Sequence, residues 1–174
     1  MTENLNPDAF QEPVTPGVVG DYVVETQEYV VGKAPTTADW TRVRGIQELN
    51  PPKITKSLED DSEINGDPYG SQVATGLDWE AELKIKLAAE GLTPDAGYTI
   101  LETAGDGVGV EGMVWLRVYR ANGASTGRQG LANVEFEEAG GKRTDLTSAD
   151  VKFTGRGRLN RITVGSDGSS TIVS

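Results

Sequence analysis

The stretch Trp79-Glu80-Ala81-Glu82-Leu83-Lys84-Ile85-Lys86-Leu87 decides the fold class. Apolar and charged residues alternate strictly along it. In a strand, successive side chains point to opposite faces, so a period of two buries one face and wets the other. These residue types also favour helix, but a helix would need apolar residues three and four apart. The wet face carries acids at its start and lysines at its end, a pattern that suits opposite-charge pairing across neighbouring strands.

Working outward, residues 22–31 are rich in Val and Tyr and predict a strand. Residues 40–49 predict another, with Pro51 and Pro52 stopping it, because proline cannot donate to a ladder. Residues 113–120, 130–138, 149–154 and 158–164 predict further strands, with Asn122-Gly123 and Gly140-Gly141 as turns between them. Thr93-Pro94-Asp95 predicts the start of one helix reaching to about Ala104, weakened by Gly97. Residues 105–112 are a glycine-rich connector. The total is about six or seven strands and one short helix, a mainly β (α+β) sandwich or open barrel with a flanking helix.

The domain spans residues 21–164; two segments stand outside it and one long loop protrudes from within it. Residues 1–20 hold Pro7, Pro13, Pro16, Gly17 and Gly20 and predict an extended N-terminal arm. Residues 50–78 form a long irregular stretch, and a structureless loop of that length is uncommon unless it has a task. It can instead pair as a hairpin about Asn65-Gly66. Residues 165–174 are rich in Gly and Ser and predict a flexible tail.

Composition removes several function classes. The 174-residue chain has no cysteine and no histidine. Disulfides, thiolate nucleophiles and the commonest general base and metal ligand are therefore excluded. The chain suggests no enzyme, no cofactor and no metal site. A formal net charge of −11 opposes binding to nucleic-acid phosphates. No apolar run is long enough for a membrane span, and residues 1–10 lack the pattern of a secretion signal. The expected place of synthesis is the cytosol.

The local motifs have ordinary readings. Gly107-Val108-Gly109-Val110-Glu111-Gly112 matches G-x-G-x-x-G, but a strand follows it where a dinucleotide site needs a helix N-terminus. Asp61, Glu63, Asn65 and Gly66 echo half of a calcium loop, yet the twelfth position falls on Gln72 and no helices flank it. Glu80 and Glu82 share a face with Lys84 and Lys86, which makes a solvated charged surface. Arg156, Arg158 and Arg161 cluster near the end of the chain, whereas its first thirty residues carry acids and no base. Such polarity fits equally a plain surface charge bias or head-to-tail contact between copies, with opposite charges meeting across an interface.

Thr41-Arg42-Val43-Arg44-Gly45-Ile46-Gln47-Glu48-Leu49, then Lys56-Ser57-Leu58-Glu59-Asp60-Asp61-Ser62, then Ser71-Gln72-Val73-Ala74-Thr75-Gly76-Leu77-Asp78-Trp79 resemble the major tail tube proteins of long-tailed, siphovirus-type phages of actinobacteria. The resemblance extends over about residues 20–160, and residues 74–79 are its most specific part. It implies a sandwich-like β domain with a flanking helix. It implies that six copies form a ring whose sheets join in an inner barrel, and that rings stack into a hollow tail tube. The partners it implies are further copies of the chain, a tape measure protein in the lumen during assembly, and tail terminator and tail tip proteins. Genomic DNA would pass through without specific binding. The protein would sit in the virion tail, after assembly in the host cytoplasm.

On this reading residues 40–49 and 79–87 supply barrel strands and residues 50–78 contact the next ring. The assembly residues expected are Glu59, Asp60, Asp61, Asn65, Gly66, Asp67 and Tyr69 in that stretch, and Arg156, Arg158 and Arg161 near the end. Alternatives are a tail terminator or head–tail connector on a related fold, or a carbohydrate-binding β-sandwich.

Overall fold

The computed structural model describes residues 19–61, 71–87, 93–121, 125–140 and 147–173. Among the described residues, eight strands and one α-helix follow in the order β1 (Tyr22–Glu28), β2 (Thr41–Arg42), β3 (Ile46–Asp60), β4 (Gln72–Lys86), α1 (Ala96–Asp106), β5 (Met113–Arg120), β6 (Thr126–Ala139), β7 (Ser148–Val164) and β8 (Ser170–Ile172). They form one antiparallel sheet in the order β2-β1-β5-β6-β7-β4-β3, with β8 added to the far end of β7.

The chain leaves β2 at one end of this order and enters β3 at the other after only residues 43–45. Both ends of the sheet must therefore lie close together, and the sheet curls into an open barrel. The link is held on both sides. The Val43 amide donates to Val24 O, and the Lys86 amide donates to Gly45 O, each at 2.9 Å. Gly45 makes the switch with φ +73, a conformation that costs glycine little.

Alternation sorts the side chains into an interior and an exterior. Val24, Val114, Leu116, Val118, Ala132, Val134, Val151 and Phe153 join Ala81, Leu83 and Ile85 in one buried cluster. The alternating stretch 79–87 thus presents its apolar face to the core. Trp79 lies over Gly130 and Gly155, where an added Cβ would come within 2.6 and 2.2 Å of the indole. Its ring N–H donates to Gly157 O at 3.1 Å. Helix α1 adds Leu101 and Ala104 to the same cluster. Gly97 lets the helix sit against the backbone of Arg42, and Gly105 lets it sit against Phe136.

A smaller layer covers part of the exterior. Val23, Met113, Ile162 and Val164 are buried there, and so is Arg117, 2 % exposed. Arg117 pairs with Glu25 and lies over the Trp40 and Tyr119 rings, 4.5 and 5.6 Å from their centroids. Its Nη1 donates to Gly168 O and to Ser170 Oγ, both at 2.8 Å.

Several sequence expectations need correction. Residues 165–173 are a turn and strand β8, because Arg117 clasps the turn and Ile172 pairs with Ile162. Residues 50–60 and 72–78 are strand, so the long irregular stretch is mostly a hairpin. Pro51 and Pro52 are tolerated because β3 is the outer edge of the sheet and the register shifts between Asn50 and Lys53. Residues 40–49 are two strands with a switch between them. The two segments expected at 149–154 and 158–164 are one strand, β7, which keeps its pairing to β6 through a register shift. The helix is capped by Asp95, whose carboxylate accepts from the Gly97 amide at 3.2 Å. Strand β1 ends at Glu28, before Val30 and Val31. The arm expected at 1–20 falls almost wholly outside the described residues, as do the turns at Asn122-Gly123 and Gly141.

Candidate assembly surfaces

Beyond Glu80, β4 has no partner on β7 and pairs only with β3. From Lys53–Glu80 out to Asp60–Gln72 the two strands form a free ribbon. At ~3.3 Å per residue it spans about 23 Å. Directly opposed residues share a face. Ile54–Trp79, Lys56–Leu77 and Leu58–Ala74 lie on one face; Thr55–Asp78, Ser57–Gly76 and Glu59–Val73 lie on the other. The first face leaves Leu77 65 % and Leu58 52 % exposed, with Ile54 at 38 %. An isolated two-stranded ribbon is marginal in water, and one with an apolar face is built to be covered.

Glu59 and Asp60 lie at the far end of this ribbon and Asp61 just beyond it, all exposed. The Asp61 amide donates to Ser71 O at 3.2 Å, which holds the two chains together as they leave the strands. Asn65, Gly66, Asp67 and Tyr69 lie outside the described residues, as does most of the calcium-like sequence. Among the described residues no group of three or more His, Cys, Asp or Glu gathers to hold a metal.

The second surface is the exterior of β3, β4, β7 and β6 near the root of the ribbon. Glu82 faces Lys152, Lys84 faces Asp150, and Lys152 also faces Glu135. Asn50 donates to Glu82 at 3.0 Å. Glu48 and Glu137 complete a shallow polar hollow with more acids than bases. Glu80 and Glu82 are thus part of a charge-paired surface. The glycine-rich connector is a tight turn closing α1, in which Gly107 meets the backbone of Glu111 and Gly112.

The third surface is basic. Arg128 on β6 stands directly opposite Arg161 on β7, and Arg128 also opposes Val118 of the interior face. Both arginines therefore lie on the barrel's inner side, at its open mouth. Arg120 joins them, with its Nε donating to the Tyr22 hydroxyl at 3.2 Å and its guanidinium 5.3 Å from the Tyr22 ring. Pro51 and Pro52 form the facing wall of a cavity of about 500 Å³. Like charges placed directly opposite destabilise a sheet. Among the described residues no acid is bonded to either Arg128 or Arg161. Arg156 and Arg158 are exposed elsewhere on β7, and Arg156 makes a weak contact to Met113 Sδ at 3.8 Å. The structure thus separates Arg161 from the other two expected arginines. The sequence did not single out Arg120 and Arg128, which only strand register brings to Arg161, nor Leu58 and Leu77, whose exposure no local pattern shows.

No family model matches the chain, and no curated protein matches it. Solved structures do. The chain is similar to one in the tail of an empty gene transfer agent particle with C6 symmetry, at TM-score 0.61 and 10 % identity, over 83 % of this chain and 97 % of that one. It is similar to one in the six-fold symmetrised baseplate of an anti-feeding prophage, at TM-score 0.60 and 11 % identity, over 86 % and 97 %. It is also similar to one in the sheath/tube terminator structure of an extracellular contractile injection system, at TM-score 0.58 and 7 % identity, over 86 % and 98 %. At these identities the likeness shows the fold, which is one that phage-like tail assemblies contain.

Proposed function

We propose that this protein is a structural tail subunit that stacks as hexameric rings into the hollow tail tube of a long-tailed actinobacteriophage, through which genomic DNA is ejected into the host. The observation that supports it most is the fold, shared over 83 % of this chain with nearly the whole of a chain from a six-fold symmetric tail. The free ribbon fits the same reading. It carries an apolar face that a neighbouring ring can cover, and burying the part of Leu58 and Leu77 that is still exposed contributes about 1–2 kcal/mol each. The acid-rich exterior of β3, β4, β7 and β6 suits a lumen wall, because like charge keeps DNA phosphates from sticking. A tape measure protein in the lumen and terminator and tip proteins at the ends are the partners this role requires.

A tail terminator is the second reading, favoured by the likeness to a chain of a sheath/tube terminator structure. Negative-stain electron microscopy of the purified protein, before and after concentration, separates the two. Hollow tubes of even diameter are the expected result. Single rings that never elongate at any concentration would replace the tube reading with the terminator.

A further inference from the structure

We propose that the arginine mouth formed by Arg120, Arg128 and Arg161 is a carboxylate-binding site, and that its occupant is the N-terminal segment of the same chain. The site is built to take an anion. Arg128 and Arg161 are directly opposed in the β6–β7 register on the barrel's inner side, Arg120 lies on Tyr22, and all three line one cavity of about 500 Å³ together with Pro51 and Pro52. Each lone arginine would be an ordinary surface charge. A directly opposed pair is a standing repulsion that a shared anion relieves.

The choice of occupant follows from charge and from where the chain enters the fold. Residues 1–18 carry Glu3, Asp8 and Glu12 and no Lys or Arg. The segment leads into β1 at Tyr22, which is itself a wall of the cavity. The Ala121 amide donates to Asp21 O at 2.8 Å, so the chain enters the barrel beside Arg120. A chain of eighteen residues can span at most about 60 Å, far more than the site requires. A tether this short holds its carboxylates near the site at millimolar effective concentration. A nucleic acid is a poorer occupant, because the rest of a chain of net charge −11 repels it.

The test uses the full chain and inorganic phosphate as probe, read on the side-chain Nε–H signals of Arg120, Arg128 and Arg161 by NMR. It is independent of the tail reading, since it is made on dilute, unassembled protein. The comparison is with the full-length variant Glu3→Gln, Asp8→Asn, Glu12→Gln, with unchanged β5–β7 amide signals as the check on folding. Removing the competing carboxylates is expected to raise the apparent phosphate affinity about tenfold. A second variant, Arg128→Gln with Arg161→Gln, should abolish the phosphate response. Equal phosphate affinity in wild type and the arm variant would overturn the proposal. A difference that appears only as protein concentration rises would assign the carboxylates to a second copy and overturn the same-chain occupant. A single-stranded oligonucleotide that shifts these signals as strongly in wild type as in the arm variant would also overturn it, because the site would then read backbone phosphate.

Discussion

Arg117 is the residue on which the exterior layer depends. Its charge is buried, paired with Glu25, and spread over contacts to Trp40, Tyr119, Gly168 and Ser170. Removing one partner of a buried pair leaves the other charge without compensation. Arg117→Ala should therefore cost about 3 kcal/mol in denaturant unfolding and should release residues 165–173 to proteolysis. An equally stable variant with a protected C-terminal strand would contradict this role. Tyr98 is informative in a different way. Its hydroxyl donates to Glu102 at 3.1 Å, and burial followed by the Glu102 carboxylate raises its pKa from 10.0 to about 12. The folded state thus holds this proton where the unfolded chain has lost it. Its contribution is complete below about pH 10 and is lost as pH rises through about 12. Thermal melts across that window should fall more steeply for wild type than for Tyr98→Phe; parallel curves would remove Tyr98 as a cause.

At the scale of elements, the proposed tail-tube role predicts that changes in the ribbon separate stability from assembly. Leu58 and Leu77 are more than half exposed, so their loss removes little from the folded subunit. Leu58→Ser with Leu77→Ser should change subunit stability by less than ~0.5 kcal/mol, yet prevent elongation into tubes. Sedimentation velocity and electron microscopy read the second effect, and normal tubes from this variant would remove the ribbon from the ring contact. The ribbon was partly legible. A hairpin about Asn65-Gly66 is one reading of residues 50–78, and the strands on either side do pair. The position of the prolines hid the rest. Pro51 and Pro52 read as stops, but at an outer edge and a register shift no ladder bond is missing. The C-terminal Gly/Ser stretch was hidden in the same way, because the partner that orders it is Arg117, about fifty residues earlier in the chain.

At the scale of the whole molecule, a net charge of −11 sets a repulsion that every contact between copies must overcome. Salt screens it within a Debye length of about 10 Å at 0.1 M. On the proposed tail-tube role, the concentration needed for tubes to form should therefore fall several-fold as salt is raised from about 0.05 M to about 0.5 M, by pelleting assay. A rise instead would mean that opposite-charge contacts between copies outweigh the repulsion.

The sequence by itself determined the fold class, the strand at 79–87 with its buried and wet faces, the strand at 113–120, and the approximate helix. These depend on periodicity and capping, which are properties of neighbouring residues. It also excluded chemistry that needs histidine or cysteine. Only the tertiary structure decided that the sheet closes on itself through residues 43–45, that the C-terminal segment is a strand, and that Arg120, Arg128 and Arg161 line one cavity. Each of these depends on register between strands distant in sequence, and register is set by packing of the whole barrel, which no local window contains.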